Sequence, residues 1–314
     1  MNKQLAIVFP GQGSQGVGML AALAERHPVV AETFIEAGEA LDMDLWRLIN
    51  QGPAEELDRT ELTQPAMLAA GIAGWRVWRL LDGPTPDVMA GHSLGEYSAL
   101  VAAGAMDFAD AIRLVHERGR LMQAAVPAGV GAMAAILGLD DEVVEAICRE
   151  AAEGQVVAPA NYNSPGQLVI AGHAEAVERA MHRCREAGAR RAVVLPVSVP
   201  SHCALMGQAA EAFGERLEAT GFRAPEIPVL HNADVAAHAE VDVLRRVLQK
   251  QLCSPVQWTR TIRKMLDKGI DQFVECGPGK VLCGLGRRIS RQSSWQSMES
   301  PDELEARISE WRES

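Results

Sequence analysis

The pentapeptide Gly91-His92-Ser93-Leu94-Gly95 constrains this chain more than any other stretch. It is a G-x-S-x-G pattern set between two contrasting segments. Pro-Asp-Val-Met-Ala (86–90) reads as a short buried strand, and Glu-Tyr-Ser-Ala-Leu-Val-Ala-Ala (96–103) reads as a helix. A serine on so tight a strand-to-helix turn is forced out of the sheet with its Oγ exposed, and flanking glycines let the backbone turn that sharply. The N–H of Leu94 then points to where an oxyanion would form, and the helix amino end adds positive potential. A tight turn that merely holds a serine is the plainer alternative. The strand-turn-helix context favours a nucleophile.

The surrounding pattern is β-turn-α repeated. Residues 5–9 read as a strand followed by a Gly-rich turn and a helix. Residues 54–81 read as mostly helical with a break near Pro65, and 107–125 as a helix after the elbow. This predicts an α/β fold with a mostly parallel sheet and helices on both faces. The texture changes near Pro127. Strand 131–138, helix 140–152, strands 155–161 and 167–171, helix 174–187 and strand 191–198 follow in the order β-α-β-β-α-β, which is the ferredoxin-like order. We therefore expect a ferredoxin-like small domain at 129–198, inserted into a discontinuous catalytic domain of residues 1–128 and 199–314. The α/β pattern resumes from about residue 203, and the tail beyond Ser290 is polar with one amphipathic segment near 301–312.

Charge and cysteine usage exclude several classes. The chain of 314 residues carries a net charge of −11, which argues against nucleic acid as the main ligand. No apolar stretch reaches membrane-spanning length, and the start has no signal-peptide pattern. The six cysteines contain no C-x-x-C pair. They read as reduced thiols of a cytoplasmic protein, with no metal site expected.

A serine nucleophile needs a base. Of the eight histidines, His202 is the best placed: it sits where a strand ends and a helix begins, at the seam between insert and main domain, where clefts form. His92 adjoins Ser93 but should project elsewhere and reads as structural. Gly11-Gln12-Gly13-Ser14-Gln15-Gly16 formally matches the dinucleotide fingerprint G-x-G-x-x-G, yet the ribose-binding acid expected about 20 residues on is ambiguous. The same turn can instead present a second oxyanion donor. Arg118, read alone, is a solvated or ion-paired surface arginine.

Taken together the motifs resemble the malonyl-CoA:acyl carrier protein transacylases. The stretches that carry the resemblance include Phe-Pro-Gly-Gln-Gly-Ser-Gln (9–15), Leu-Thr-Gln-Pro-Ala (62–66), Gly-His-Ser-Leu-Gly-Glu-Tyr (91–97), Arg-Gly-Arg-Leu-Met-Gln (118–123), Val-Pro-Ser-His-Cys (199–203) and Glu-Cys-Gly-Pro-Gly-Lys-Val-Leu (275–282), in order along the chain. The resemblance implies an α/β-hydrolase-like core with the ferredoxin-like insert. It implies Ser93 as acyl carrier, His202 as general base and acid, and Gln12 and Leu94 as backbone donors to the oxyanion. Arg118 would bind the malonyl carboxylate, Asn163 would line the pocket, and Gln251 would orient His202 through its backbone carbonyl. Malonyl-CoA and acyl carrier protein are the implied partners, in fatty acid synthesis, with no cofactor. Ser201 gives the Val-Pro-Ser-His form seen in stand-alone malonyl enzymes of this kind.

Two other readings stay open at this stage. One is a serine hydrolase on the same core, and the other a carrier-binding scaffold with a dead site. An acidic carrier protein would need a local basic patch on this acidic chain, and the pairs Arg190-Arg191 and Arg287-Arg288 are the candidates.

Overall fold

The structure, a computed structural model, describes residues 4–127, 129–197 and 199–312. Among the described residues nine strands form two sheets. They are β1 (Gln4–Phe9), β2 (Val88–Gly91), β3 (Gly131–Leu137), β4 (Val157–Ser164), β5 (Gln167–His173), β6 (Arg191–Val194), β7 (Val229–Leu230), β8 (Ile270–Glu275) and β9 (Ser294–Ser297).

The larger sheet is parallel throughout, in the order β7-β2-β1-β8-β9. Its strands β1, from Leu5 on, and β2 are continuous apolar runs because both faces are covered. In β1, Leu5, Ile7 and Phe9 face one hydrophobic core, while Ala6 and Val8 face the other, the alternation a strand dictates. Phe9 of β1 pairs with Gly91 of β2, so the loops that follow the two strands leave the sheet at the same height. Ligand sites of open parallel sheets form at these carboxyl ends.

The second sheet is antiparallel, in the order β4-β5-β3-β6. One face packs on helices Asp141–Ala151 and Ala174–Glu186, through residues such as Ala134, Ile136 and Ile170. The opposite face, with Met133, Val169 and Ala171, packs on Cys203 and Leu205 of the main body. The small sheet thus forms a wall beside the carboxyl ends of the large one. The element order from β3 to β6 is the β-α-β-β-α-β order expected from the sequence. The expected insert boundaries fall at Ala128 and Ser198, which lie outside the described residues.

Two expectations are corrected in detail. The helical break lies at Asp58–Arg59, and Pro65 sits inside the helix Thr60–Leu80. There, in the second turn, proline removes only the N–H that would have met the Glu61 carbonyl. The polar tail also hides a strand, β9. Its single large residue, Trp295, is buried and stacks on Phe273 with centroids 4.2 Å apart and planes at 5°, which extends the parallel sheet by one strand. The amphipathic segment beyond it is the helix Pro301–Arg312.

Candidate active site

Ser93 crowns the turn between β2 and the helix Gly95–Ala102. Its φ is 52°, a left-handed conformation that non-glycine residues rarely take. The turn is held from below. The Ser93 N–H donates to Asn232 Oδ1 at 2.6 Å, and Asn232 Nδ2 donates to the Gly91 carbonyl at 2.6 Å. The motif's two glycines are required by close approach: a Cβ on Gly91 would fall on the backbone of Gly95, and one on Gly95 on the Phe9 carbonyl. Leu94 is the N-cap of the helix, so its N–H belongs to the unpaired amino end that favours negative charge.

His202 lies across the cleft with Nε2 2.7 Å from Ser93 Oγ. It too is left-handed, with φ 63°. Its N–H donates to the Leu252 carbonyl at 3.0 Å, tying it to the end of the helix Val241–Gln251. Its Nδ1 is 2.9 Å from the Gln251 carbonyl. A carbonyl only accepts, so Nδ1 carries the proton and Nε2 is left bare, facing the serine hydroxyl. Burial pulls the imidazole down to about 3, with the Arg118 charge pushing the same way. The ring is therefore neutral at ordinary pH.

Arg118, which read alone as a surface arginine, is buried at 1% exposure on the helix Phe108–Ala125. Its Nη1 donates to Gln64 Oε1 at 2.8 Å and its Nη2 to Gln251 Oε1 at 3.0 Å. Its Cζ lies 5.4 Å from the Tyr97 ring centroid, and its Nη2 is 3.5 Å from Ser93 Oγ. Among the described residues its Nε has no partner. Amide oxygens do not neutralise a cation, so this is a desolvated charge with donor capacity to spare beside the cleft. Burial lowers its pKa.

The remaining expected residues divide. Gln12 lines the cleft, with its Nε2 3.3 Å from Thr60 Oγ1. Asn163 stands one step back: its Oδ1 is 2.8 Å from His92 Nε2, and Asn161 is the asparagine that lines the cleft. His92 is clamped between Asn163 and the Trp258 ring, 5.5 Å away. Sequence reasoning missed Gln64, and it missed a buried trio, Glu96, His231 and Asn232. The Glu96 carboxylate accepts from His231 Nδ1 at 2.7 Å, from the Asn232 N–H at 2.9 Å and from Gln251 Nε2 at 2.9 Å. Glu96 follows directly on the G-x-S-x-G pentapeptide. A carboxylate in the buried first turn of that helix was the one available signal.

The cleft has a volume of about 110 Å³. Met122, Met133, Leu195, Val197 and Val199 supply its apolar walls, the second, third and fourth of these coming from the small-sheet side. The dinucleotide reading finds no support: the next strand after β1 is β2, and it ends in the elbow rather than in an acid. Among the described residues no group of three or more His, Cys, Asp or Glu is placed to hold a metal ion.

The chain matches the acyl transferase domain family over residues 6–301. It is 56% identical over 305 residues to the malonyl CoA-acyl carrier protein transacylase of Escherichia coli K12, covering 97% of this chain and 99% of that protein. This chain belongs to the malonyl CoA-acyl carrier protein transacylase family. The Coxiella burnetii transacylase structure superposes with a TM-score of 0.97 at 50% identity, over 98% of both chains. A malonyl-transacylase solved in complex with a type II PKS acyl-carrier protein gives 0.97 at 52%, over 98% of this chain and all of the other.

In this transacylase-family chain a second hollow, of about 610 Å³, lies where the small sheet meets the helix Val281–Ile289. Arg190, Arg191, Arg287, Arg288 and Arg291 line it together with Pro165 and Gly166, and Arg288 donates to Gln167 Oε1. The two arginine pairs picked from sequence thus share one groove. Pro165 is two residues beyond Asn163, so the same β4–β5 hairpin reaches both groove and elbow.

Proposed function

We propose that Ser93 accepts a malonyl group from malonyl-CoA as an ester and passes it to the phosphopantetheine thiol of an acyl carrier protein, the step that supplies malonyl units to fatty acid synthesis. The observation that carries this reading is the Ser93–His202 pair at 2.7 Å with the buried, under-partnered Arg118 beside it. In the first half-reaction His202 Nε2 takes the Ser93 hydroxyl proton as Oγ attacks the thioester carbonyl. Charge develops on the carbonyl oxygen, where the N–H groups of Leu94 and Gln12 would receive it. Collapse breaks the C–S bond, and the proton on His202 goes to the departing CoA sulfur. In the second half His202 takes the proton of the carrier's thiol, which attacks the ester, and then returns it to Ser93 Oγ. Arg118 supplies the counter-charge for the malonyl carboxylate, whose fixed position favours transfer to a positioned thiol.

The reading extends to architecture. The strand order β4-β5-β3-β6 with two helices on one face supports a ferredoxin-like insert at 129–198. The elbow over a parallel sheet supports an α/β-hydrolase-like core in the flanking segments, 1–128 and 199–314. Six unpaired cysteines suit the cytoplasm, and among the described residues no helix is long and apolar enough to cross a membrane.

Intact-mass analysis tests the function. Mixing with malonyl-CoA should add one malonyl unit, and holo-carrier protein should remove it with matching gain on the carrier. Ser93→Ala should never gain that mass. Gain by the Ser93→Ala variant would place the nucleophile elsewhere, and discharge to water faster than to the carrier would make the chain a hydrolase.

A further inference from the structure

We infer that Glu96 is a positioning residue that sets the Gln251 amide, and through it the groups that perform acyl transfer. This rests on the reading of Ser93 as the acylated residue. Glu96 is fully buried, as is Gln251. Every polar atom of Gln251 except its own N–H serves the site. Its backbone carbonyl accepts from His202 Nδ1, its Oε1 accepts from Arg118, and its Nε2 donates to the Ser93 carbonyl at 3.0 Å and to Glu96 Oε2 at 2.9 Å.

A glutamine amide has two orientations, and only one serves this site. An ionised carboxylate only accepts, so Glu96 forces Nε2 toward itself and turns Oε1 to Arg118. The reversed amide would set an NH₂ group against the guanidinium and leave Oε1 facing the carboxylate. The same carboxylate accepts from the Asn232 N–H and so steadies the residue that holds the Ser93 N–H and the Gly91 carbonyl. Glu96 touches neither Ser93 Oγ nor His202. Its main route to the reacting groups is Gln251, which among the described residues is the one bonded to Ser93, His202 and Arg118 alike, and its bond to Asn232 is the lesser one.

The geometry also separates charge from hydrogen bonding. In E96Q the amide oxygen still accepts from Asn232 and Gln251. Its NH₂ meets His231 Nδ1, which accepts once the ring proton moves to Nε2, an atom with no partner among the described residues.

The test is a double-mutant cycle on the single-turnover rate of Ser93 acylation by malonyl-CoA, read by intact mass. Glu96→Ala should slow acylation about 10- to 100-fold, the range for groups that orient functional side chains. E96Q should stay within about threefold of the parent, since its hydrogen bonds survive. In the Gln251→Ala background, where the His202-holding carbonyl remains, Glu96→Ala should cost less than about threefold more, because the two residues act as one unit. Multiplying losses, an unaffected Glu96→Ala, or an E96Q as slow as Glu96→Ala would each overturn the inference. Should Glu96→Ala fail to melt cooperatively, Glu96→Asp takes its place in the cycle, since it keeps the charge and withdraws the carboxylate by one methylene. A parent chain that gains no malonyl mass would instead sink the functional reading itself.

Discussion

His202 Nδ1 points at the backbone carbonyl of Gln251, 2.9 Å away, and among the described residues no carboxylate is bonded to the imidazole. A main-chain dipole fixes the tautomer but adds no full charge to an imidazolium. Serine-histidine-acid triads rely on that charge. We read the site as a dyad in which the Glu96 carboxylate acts at a remove, through Gln251.

Alanine scanning of the acidic residues should therefore find none that matches the loss expected of a triad acid. A triad member costs about 10⁴-fold. Glu96→Ala should fall near the 10- to 100-fold range of an orienting group, and all other acids should fall below it. A loss near 10⁴-fold in acylation at any folded acid variant would reveal a carboxylate partner for His202.

The low pKa of His202 has two measurable consequences. Its folded value of about 3 lies below its ordinary 6.5, so between those values the unfolded chain binds a proton that the native chain does not. Stability from the neutral buried ring is complete above pH 6.5 and declines as pH falls toward 3. Urea unfolding of the parent relative to His202→Asn should show about 2 kcal/mol of that advantage lost between pH 7 and pH 5. Single-turnover acylation should in turn hold within about threefold from pH 8 to pH 5, because the base stays unprotonated. An acylation rate that titrates near 6.5 would mean the ring is far less desolvated than its surroundings imply.

Which of these features sequence alone exposes follows from the range of the contacts. Ser93, Leu94 and the glycines form one local pattern, and the turn they encode is the turn observed. The order of elements from β3 to β6 was legible from alternation and turn residues. Arg118 stood out only through the family resemblance and not from its own surroundings, because its sequence neighbours Glu117 and Arg120 pair with one another on the surface while its own side chain turns inward. The Glu96–His231–Asn232–Gln251 network joins residues 135 or more positions apart, and it becomes visible only once β7 is laid beside β2. Asn161 and Asn163 illustrate a finer limit. They sit two apart on β4, and register shifts in that strand decide which of them reaches the cleft. Sequence spacing carries no record of such irregularities.

Arg118→Ala should impair malonyl transfer far more than any transfer of an acetyl group. Removing one partner of a desolvated charge pair costs about 2–5 kcal/mol, or roughly 30- to 4,000-fold. The neutral acetyl group forms no such pair, so its acylation rate should change much less. The measurement is kcat/KM for the two acyl-CoA substrates in parent and variant. Equal losses would show that Arg118 supports the architecture of the site and not the acyl carboxylate.

A chain of net charge −11 repels an acidic partner at long range. Five arginines around one hollow of about 610 Å³, on the hairpin that also reaches the elbow, reverse that field locally. A carrier protein that docks there would deliver its phosphopantetheine arm along β4 and β5 toward Ser93. Attraction of this kind acts mainly on association and weakens with salt. Reversing Arg190, Arg191, Arg287 and Arg288 to glutamate should thus lower kcat/KM for holo-carrier protein and flatten its salt dependence. Acylation of Ser93 at saturating malonyl-CoA, followed by intact mass, should be little changed. Arg288 also donates to Gln167, so a thermal melt of the fourfold variant must show that β5 keeps its place. A folded variant with unaltered carrier kcat/KM and salt slope would move the docking surface away from this groove.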